Sequence, residues 1–263
     1  MEEKIIIKTP EEIEGIRKAS LLTARTLDMI GDFVKPWIST IELDNICNDF
    51  ILKNWWTSAC IGYHWFPKYT CISLNDTVCH WIPSEWETLK EGDILNIDVT
   101  SIVDWYFWDA SRMFAVWEIS AKSDKLIKAA HEAWKIWINQ IKPWNRFGDI
   151  WYAISKYVEA LWYSVVRDYT GHWVWVEFHE APHVYHKAKK GSGEIIKPWM
   201  VFTVEPMINT WKYQCKLLKD NWTVKTKDGS LSAQWEHTIL VTETGYEILT
   251  KTEKDFGFEY KKK

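Results

Sequence analysis

Glycine is what this chain most lacks. Only 11 of its 263 residues are glycine, where an average usage of about 7% would supply roughly 18, so a glycine-rich fibrous or linker-like chain is excluded. A basic excess is missing too. The 32 Lys and Arg stand against 36 Asp and Glu, for a net charge of −4, which does not suit a nucleic-acid binder. The five cysteines (Cys47, Cys60, Cys71, Cys79, Cys215) are odd in number and contain no CxxC pair. That excludes a disulfide framework and a thiolate zinc site and predicts a reduced, cytoplasmic protein. No apolar run approaches the roughly 18 residues needed to span a bilayer, and the start MEEKIIIKTP carries no signal-like stretch. Neither a membrane segment nor a signal peptide is expected.

The length suffices for one large domain with a full hydrophobic core. Thr9, Pro10 and Glu12 form a capping box with proline at the first helical position, and Ile13, Ile16, Leu27 and Ile30 follow at helical spacing. A helix of about 25 residues, ending at Val34, is predicted. Ser39 and Glu42 open a second helix, with Leu43, Ile46, Cys47 and Phe50 as its apolar stripe. From about Ala59 to Trp117 short β-branched and aromatic runs read as strands. The pattern then repeats, with helices from about Ser123 to Ile141 and Phe147 to Leu161 and strands from Tyr163 to Leu249. A KPW tripeptide joins the helices of each pair, at 35–37 and 142–144. The expected fold is α+β: a single domain over residues 1–263 built from two related halves, about 9–117 and 123–250, each with a helix pair and an antiparallel sheet.

The segment LNIDVTSIVDWYFWDASRMF (95–114) predicts a hairpin. A turn at Val103 and Asp104 would pair Asp98 with Asp109 and aim both carboxylates from one face. Apart from the bland reading of a solvated acidic pair, two carboxylates about 5 Å apart repel unless water or a cation lies between them. The surrounding Ile94, Ile97, Val99, Phe107, Met113 and Phe114 point to a buried hairpin, and buried carboxylates need partners. Glu205 in FTVEPMIN, Glu236 in SAQWEHT and His172 in TGH also sit beside core-like runs. Four carboxylates and one imidazole come within one charge of balancing two divalent cations and a hydroxide.

NIDVT with Asp98, DASRMF with Asp109, TGH with His172, FHEAP with His179, FTVEPMIN with Glu205 and SAQWEHT with Glu236 together resemble the motif series of the type I methionine aminopeptidases, over essentially the whole chain. The resemblance implies the pita-bread fold, in which two pseudo-symmetric halves hold a dinuclear metal centre between curved sheets. It implies Asp98, Asp109, His172, Glu205 and Glu236 as metal ligands, with Asp109 and Glu236 bridging two divalent ions (Co, Mn, Fe or Zn). The implied reaction is hydrolysis of the first peptide bond of nascent polypeptides, releasing their N-terminal methionine. An activated water attacks while Glu205 handles the proton, His179 stabilises the oxyanion and His80 contacts the scissile amide or the residue after it. Cys60, Tyr63, Phe66, Cys71, Phe178 and Trp222 are implied as the methionine pocket, a soft and polarizable wall for a soft side chain. A monomer with transient ribosome association, binding no nucleic acid and no membrane, completes the expectation. Prolidase- and aminopeptidase P-type relatives share the ligand set but generally add a large N-terminal domain. Type II enzymes carry a helical insertion for which the 30 residues between Glu205 and Glu236 leave no room. A non-catalytic peptide-binding pita-bread module is the alternative from another class.

HEAPH (179–183) matches the H-E-x-x-H zinc-protease pattern, which needs a helix to bring its histidines together. Pro182 breaks such a helix and the preceding residues alternate like a strand, so a strand is predicted and a zincin site is not. His183 and His186 are then surface residues. The last feature is an excess: 20 tryptophans. Trp37, Trp65, Trp81, Trp105, Trp108, Trp117, Trp144, Trp173, Trp175 and Trp199 stand where the resembled family has glycine. Either many of these positions point outward and tolerate an indole, or the sequence carries a systematic replacement of glycine by tryptophan that is artificial in origin, and the second is the expectation. At about 1–3 kcal/mol per overpacked site against a net stability of about 5–15 kcal/mol, ten such changes exceed the margin. With Trp173 and Trp175 beside His172, Trp81 beside His80 and Trp65 near the methionine pocket, a poor enzyme is expected.

Overall fold

The computed structural model describes residues 7–173, 178 and 189–252 and, in backbone alone, 180–184; His179, Trp175 and His186 lie outside the described residues. In chain order the elements are α1 (Pro10–Ile30), α2 (Thr40–Lys53), β1 (Thr57–Ser58), β2 (Cys71–Leu74), β3 (Thr77–Cys79), β4 (Ile94–Val103) and β5 (Tyr106–Ala115). After these come α3 (Ala121–Gln140), α4 (Phe147–Ala160), β6 (Ser164–Val165), β7 (Gly171–Trp173), β8 (Glu180–Val184) and β9 (Val201–Val204). The chain continues through β10 (Met207–Asn209), β11 (Cys215–Leu217), β12 (Val224–Thr226), β13 (Ser232–Gln234), β14 (Glu236–Val241) and β15 (Tyr246–Ile248).

Both capping boxes form. The Thr9 N–H donates to Glu12 Oε2 at 2.7 Å and the Glu12 N–H to Thr9 Oγ1 at 3.3 Å, and Ser39 and Glu42 repeat the exchange at 2.9 and 3.3 Å. Helix α1 stops at Ile30 rather than Val34. The N–H groups of Asp32 and Phe33 donate to the carbonyls of Met29 and Ile30, three residues back, which tightens the last turn and ends the α-helix. At Gly31 the helix passes close to the sheet, where a Cβ would lie 3.0 Å from the Phe114 ring.

A nine-stranded sheet has the path β1-β4-β5-β14-β9-β7-β8, with β2 added on β4 and β15 on β14. Its β5–β14 pairing, Glu236 opposite Ser111 and His237 opposite Ala110, joins the two halves. Leu27, Ile30, Leu43 and Cys47 from α1 and α2 pack on Ile72, Leu95, Ile97 and Val99. Ala130, Trp134, Trp137 and Trp151 from α3 and α4 share a second core with Phe202, Val204 and Ile239. The architecture is the expected α+β arrangement. Among the described residues no helix is long and apolar enough to cross a membrane. Strand β8 spans most of HEAPH, so that pattern forms no helical zinc site.

The β4–β5 hairpin differs from expectation in register. Val103 pairs with Tyr106, which places the turn at Asp104 and Trp105, and Asp98 faces Ser111 while Asp109 faces Thr100. The turn needs positive φ at both central residues, here 49° and 73°, and Asp accepts that conformation where β-branched Val103 resists it.

Among the described residues eight tryptophans have positive φ: Trp37, Trp55, Trp65, Trp105, Trp117, Trp144, Trp162 and Trp199. Trp55 and Trp162 were not expected; Trp81, Trp108 and Trp173 are not in the group. Trp37, Trp65, Trp105 and Trp144 point into solvent, whereas Trp108 and Trp173 are buried, so an outward orientation accounts for only part of the excess.

One close contact offers a direct check of the packing. A Cβ on Gly148 would lie 2.5 Å from the Ser192 carbonyl oxygen and 2.6 Å from that of Lys189. Gly148→Ala is predicted to destabilise the fold by about 1–3 kcal/mol, read as a lower midpoint in thermal unfolding; an unchanged midpoint would refute the contact.

Candidate metal centre

Alternation along the strands builds the site. On β4, Asp98 and Thr100 share one face; on β5, Asp109 and Ser111 oppose them. The Thr100 hydroxyl donates to Asp109 Oδ1 at 2.9 Å. Glu236 opens β14 beside β5, Glu205 follows the last residue of β9, and His172 is the middle residue of β7. Pairing of β14 with β5 and β9, and of β9 with β7, draws the four segments together.

His172 Nε2 lies 3.5 Å from Asp109 Oδ2 and 3.7 Å from Glu205 Oε1. One ligand atom each from Asp109, His172 and Glu236 fall within 4.8 Å of one another. Asp98 is within hydrogen-bonding range of Asp109, and its buried Oδ1 has no hydrogen-bond partner. All five side chains line one cavity of about 270 Å³, whose described lining contains no Lys or Arg.

Burial pushes Asp98 and Glu236 well above the usual carboxylate range, and repulsion from Asp109 adds to it in both cases. Burial likewise raises Glu205 to about 7, although His172 and the Thr203 hydroxyl pull it back. For His172 burial acts downward, but Asp109, Glu205 and the Trp173 carbonyl outweigh it and raise the imidazole. Burial lowers His80 to about 4, so this imidazole is neutral at ordinary pH. Four buried acids with no Lys or Arg in the described lining and one orphaned carboxylate oxygen fit divalent cations: oxygen donors with the imidazole of His172 suit Mn, Fe, Co or Zn.

The cavity also brings together Cys60, Tyr63, Phe66, Cys71, Phe178, Trp222 and His80. Tyr63 and Phe178 have ring centroids 4.7 Å apart, and Phe66 and Trp222 5.0 Å. His80 packs edge-on against Trp222 and Tyr169, each at 5.9 Å, and sits at φ 57°.

Three supporting residues escaped the reading of the sequence. The Thr203 hydroxyl donates to Glu205 Oε1 at 2.7 Å while its oxygen accepts the His172 N–H at 3.1 Å, and the Gln234 amide donates to Glu205 Oε2 at 3.3 Å. Thr100 is the third. Each stands two residues from a carboxylate on an extended segment, Thr100 from Asp98, Thr203 from Glu205 and Gln234 from Glu236, and the strand period of two would have found them.

Residues 14–243 match the model of metallopeptidase family M24. The chain is 48% identical over 252 residues to the methionine aminopeptidase of Escherichia coli K12, covering 95% of this chain and 96% of that one. The crystal structure of methionine aminopeptidase from Rickettsia prowazekii superposes with a TM-score of 0.92 at 45% identity, covering 94% of this chain and 100% of that one. Prolidase from Pyrococcus furiosus shares the fold at 22% identity, with a TM-score of 0.75 and 66% of its chain covered.

Because Thr203 bonds to both His172 and Glu205, Thr203→Val is predicted to weaken binding of manganese by about 10–100-fold, measured by calorimetric titration, with the far-UV spectrum unchanged. Unaltered affinity would show that this hydroxyl does not orient the site.

Proposed function

The chain belongs to metallopeptidase family M24, and from that premise we infer that it is a metal-dependent methionine aminopeptidase, which removes the N-terminal methionine of new polypeptides. The observation that carries the reading is the meeting of Asp109, His172 and Glu236 within 4.8 Å in a cavity also lined by Asp98 and Glu205.

We propose that Asp98, Asp109, His172, Glu205 and Glu236 would hold two divalent cations, in a single catalytic domain over residues 1–263. When bound there, the cations supply a Lewis acid for the scissile carbonyl and acidify a water to the point of nucleophilic attack. The protein's own groups do the rest. Glu205, raised to about 7 by burial, accepts the proton of the attacking water and returns it to the leaving amine. His80, neutral and packed against Tyr169 and Trp222, contacts the scissile amide or the residue after it, and His179 stabilises the oxyanion.

Methionine would seat among Cys60, Tyr63, Phe66, Cys71, Phe178 and Trp222, which form one apolar cluster. Thiols and ring faces make polarizable contact with a thioether, and an unbranched side chain can thread such a pocket. A cytoplasmic monomer that meets its substrates at the ribosome, loaded with Co, Mn, Fe or Zn, fits this reading.

Assay with a Met-Ala-Ser peptide plus cobalt or manganese tests it. The indole of Trp173, expected to crowd the cleft, packs instead against Phe147 and Phe202 on the other face of β7; methionine release should fall by on the order of 100-fold or more on chelation and in Asp109→Asn, whose metal content should drop from about two ions per chain. Release that survives both treatments would overturn the assignment.

A further inference from the structure

Positive φ marks a fault confined to one residue type. Among the described residues the other non-glycine positions with positive φ are His64, Asn75, His80, Asp104 and Asn221, all of types that enter this region at least cost. The remaining eight are tryptophan, and no aliphatic residue, Phe, Tyr, Lys, Arg or Glu joins them. A bulky side chain there strains the backbone. Six of the eight indoles, those of Trp37, Trp55, Trp65, Trp105, Trp144 and Trp162, are 72% to 92% exposed, so packing offsets little of that strain.

The slots these residues fill are specific. Trp37, Trp144 and Trp199 follow Pro36, Pro143 and Pro198 at φ 70° to 76°, the combination of a type II turn, whose third residue is characteristically glycine. Trp55 follows the end of α2: its N–H donates to Leu52 and that of Trp56 to Ile51. Trp162 follows the end of α4: its N–H donates to Glu159 and that of Tyr163 to Val158. Both are complete Schellman motifs with tryptophan at the left-handed position that glycine usually holds. Trp105, after Asp104, is the second residue of a two-residue hairpin turn in which Asp-Gly is favoured. The Pro-Trp turns, the helix caps and the hairpin turn are three different local structures; the residue type is their common factor.

We propose that Trp37, Trp55, Trp65, Trp105, Trp117, Trp144, Trp162 and Trp199 are positions of glycine in the working protein, and that one codon of its gene, read here as tryptophan, is translated as glycine in its source. Independent substitutions of glycine would scatter over Ala, Ser, Arg, Val, Asp, Glu and Cys as well as Trp, all reachable by one base change; recurrence of Trp alone points to the codon. The candidate is UGA, a stop codon that variant codes reassign. Trp222, which packs on Phe66 and has no positive φ, is ordinary tryptophan encoded by UGG. The inference stands on backbone geometry and is independent of the peptidase reading.

The test reads the gene and the protein together. All eight codons should be UGA with UGG at Trp222, and tandem mass spectrometry of the protein isolated from its source should give glycine at the eight sites. UGG at those sites, or tryptophan masses in their peptides, would overturn the proposal. As an independent arm, a recombinant chain carrying the eight Trp→Gly changes should melt roughly 20 °C higher than the chain with tryptophan, whereas an equal or lower midpoint counts against it. Methionine release, measured separately on both chains, reports on the peptidase reading and leaves the decoding result untouched.

Discussion

Repulsion among buried carboxylates is the constraint around which this molecule is organised. Asp98, Asp109, Glu205 and Glu236 line one small cavity with no Lys or Arg among its described lining, and burial drives Asp98, Glu205 and Glu236 toward the protonated state. Such a cluster is unfavourable unless protons or cations neutralise it. Hydrogen bonds from Thr100 and Thr203 fix two of the carboxylates at 2.9 and 2.7 Å, so the acids are held in place rather than turned outward. A fold that holds acids together in this way is built to be completed by metal ions.

The sheet supplies the convergence. Strands β4 and β5 come from the first half and β7, β9 and β14 from the second, and the β5–β14 pairing closes the gap between them. Neither half contains the complete set. Helices α1 and α2 back the first half and α3 and α4 the second.

Much of this was legible in the sequence because the signals were local. The two capping boxes used short-range hydrogen bonds and formed as expected. The hairpin turn fell one residue later than expected, yet a one-residue shift of a turn changes the sum of paired positions by two, so Asp98 and Asp109 kept a common face. That parity is why the chemistry survived a wrong register. The end of α1 differs from the expectation because the chain tightens there into three-residue hydrogen bonds, Asp32 to Met29 and Phe33 to Ile30, while the apolar spacing runs on to Val34. Thr203 and Gln234 were overlooked because each looks like an ordinary strand residue until its carboxylate neighbour is known. The tryptophans at Trp55 and Trp162 were missed for a similar reason: nothing in a neighbouring residue announces a left-handed helix cap.

Anomalous diffraction from crystals grown with manganese or cobalt tests the central claim most directly. The account predicts two peaks in the cavity, both within bonding distance of Asp109 and Glu236, with Asp98, His172 and Glu205 completing the ligand set. Crystals with no peak there, the four acids hydrogen-bonded to one another as neutral carboxyls, would contradict it.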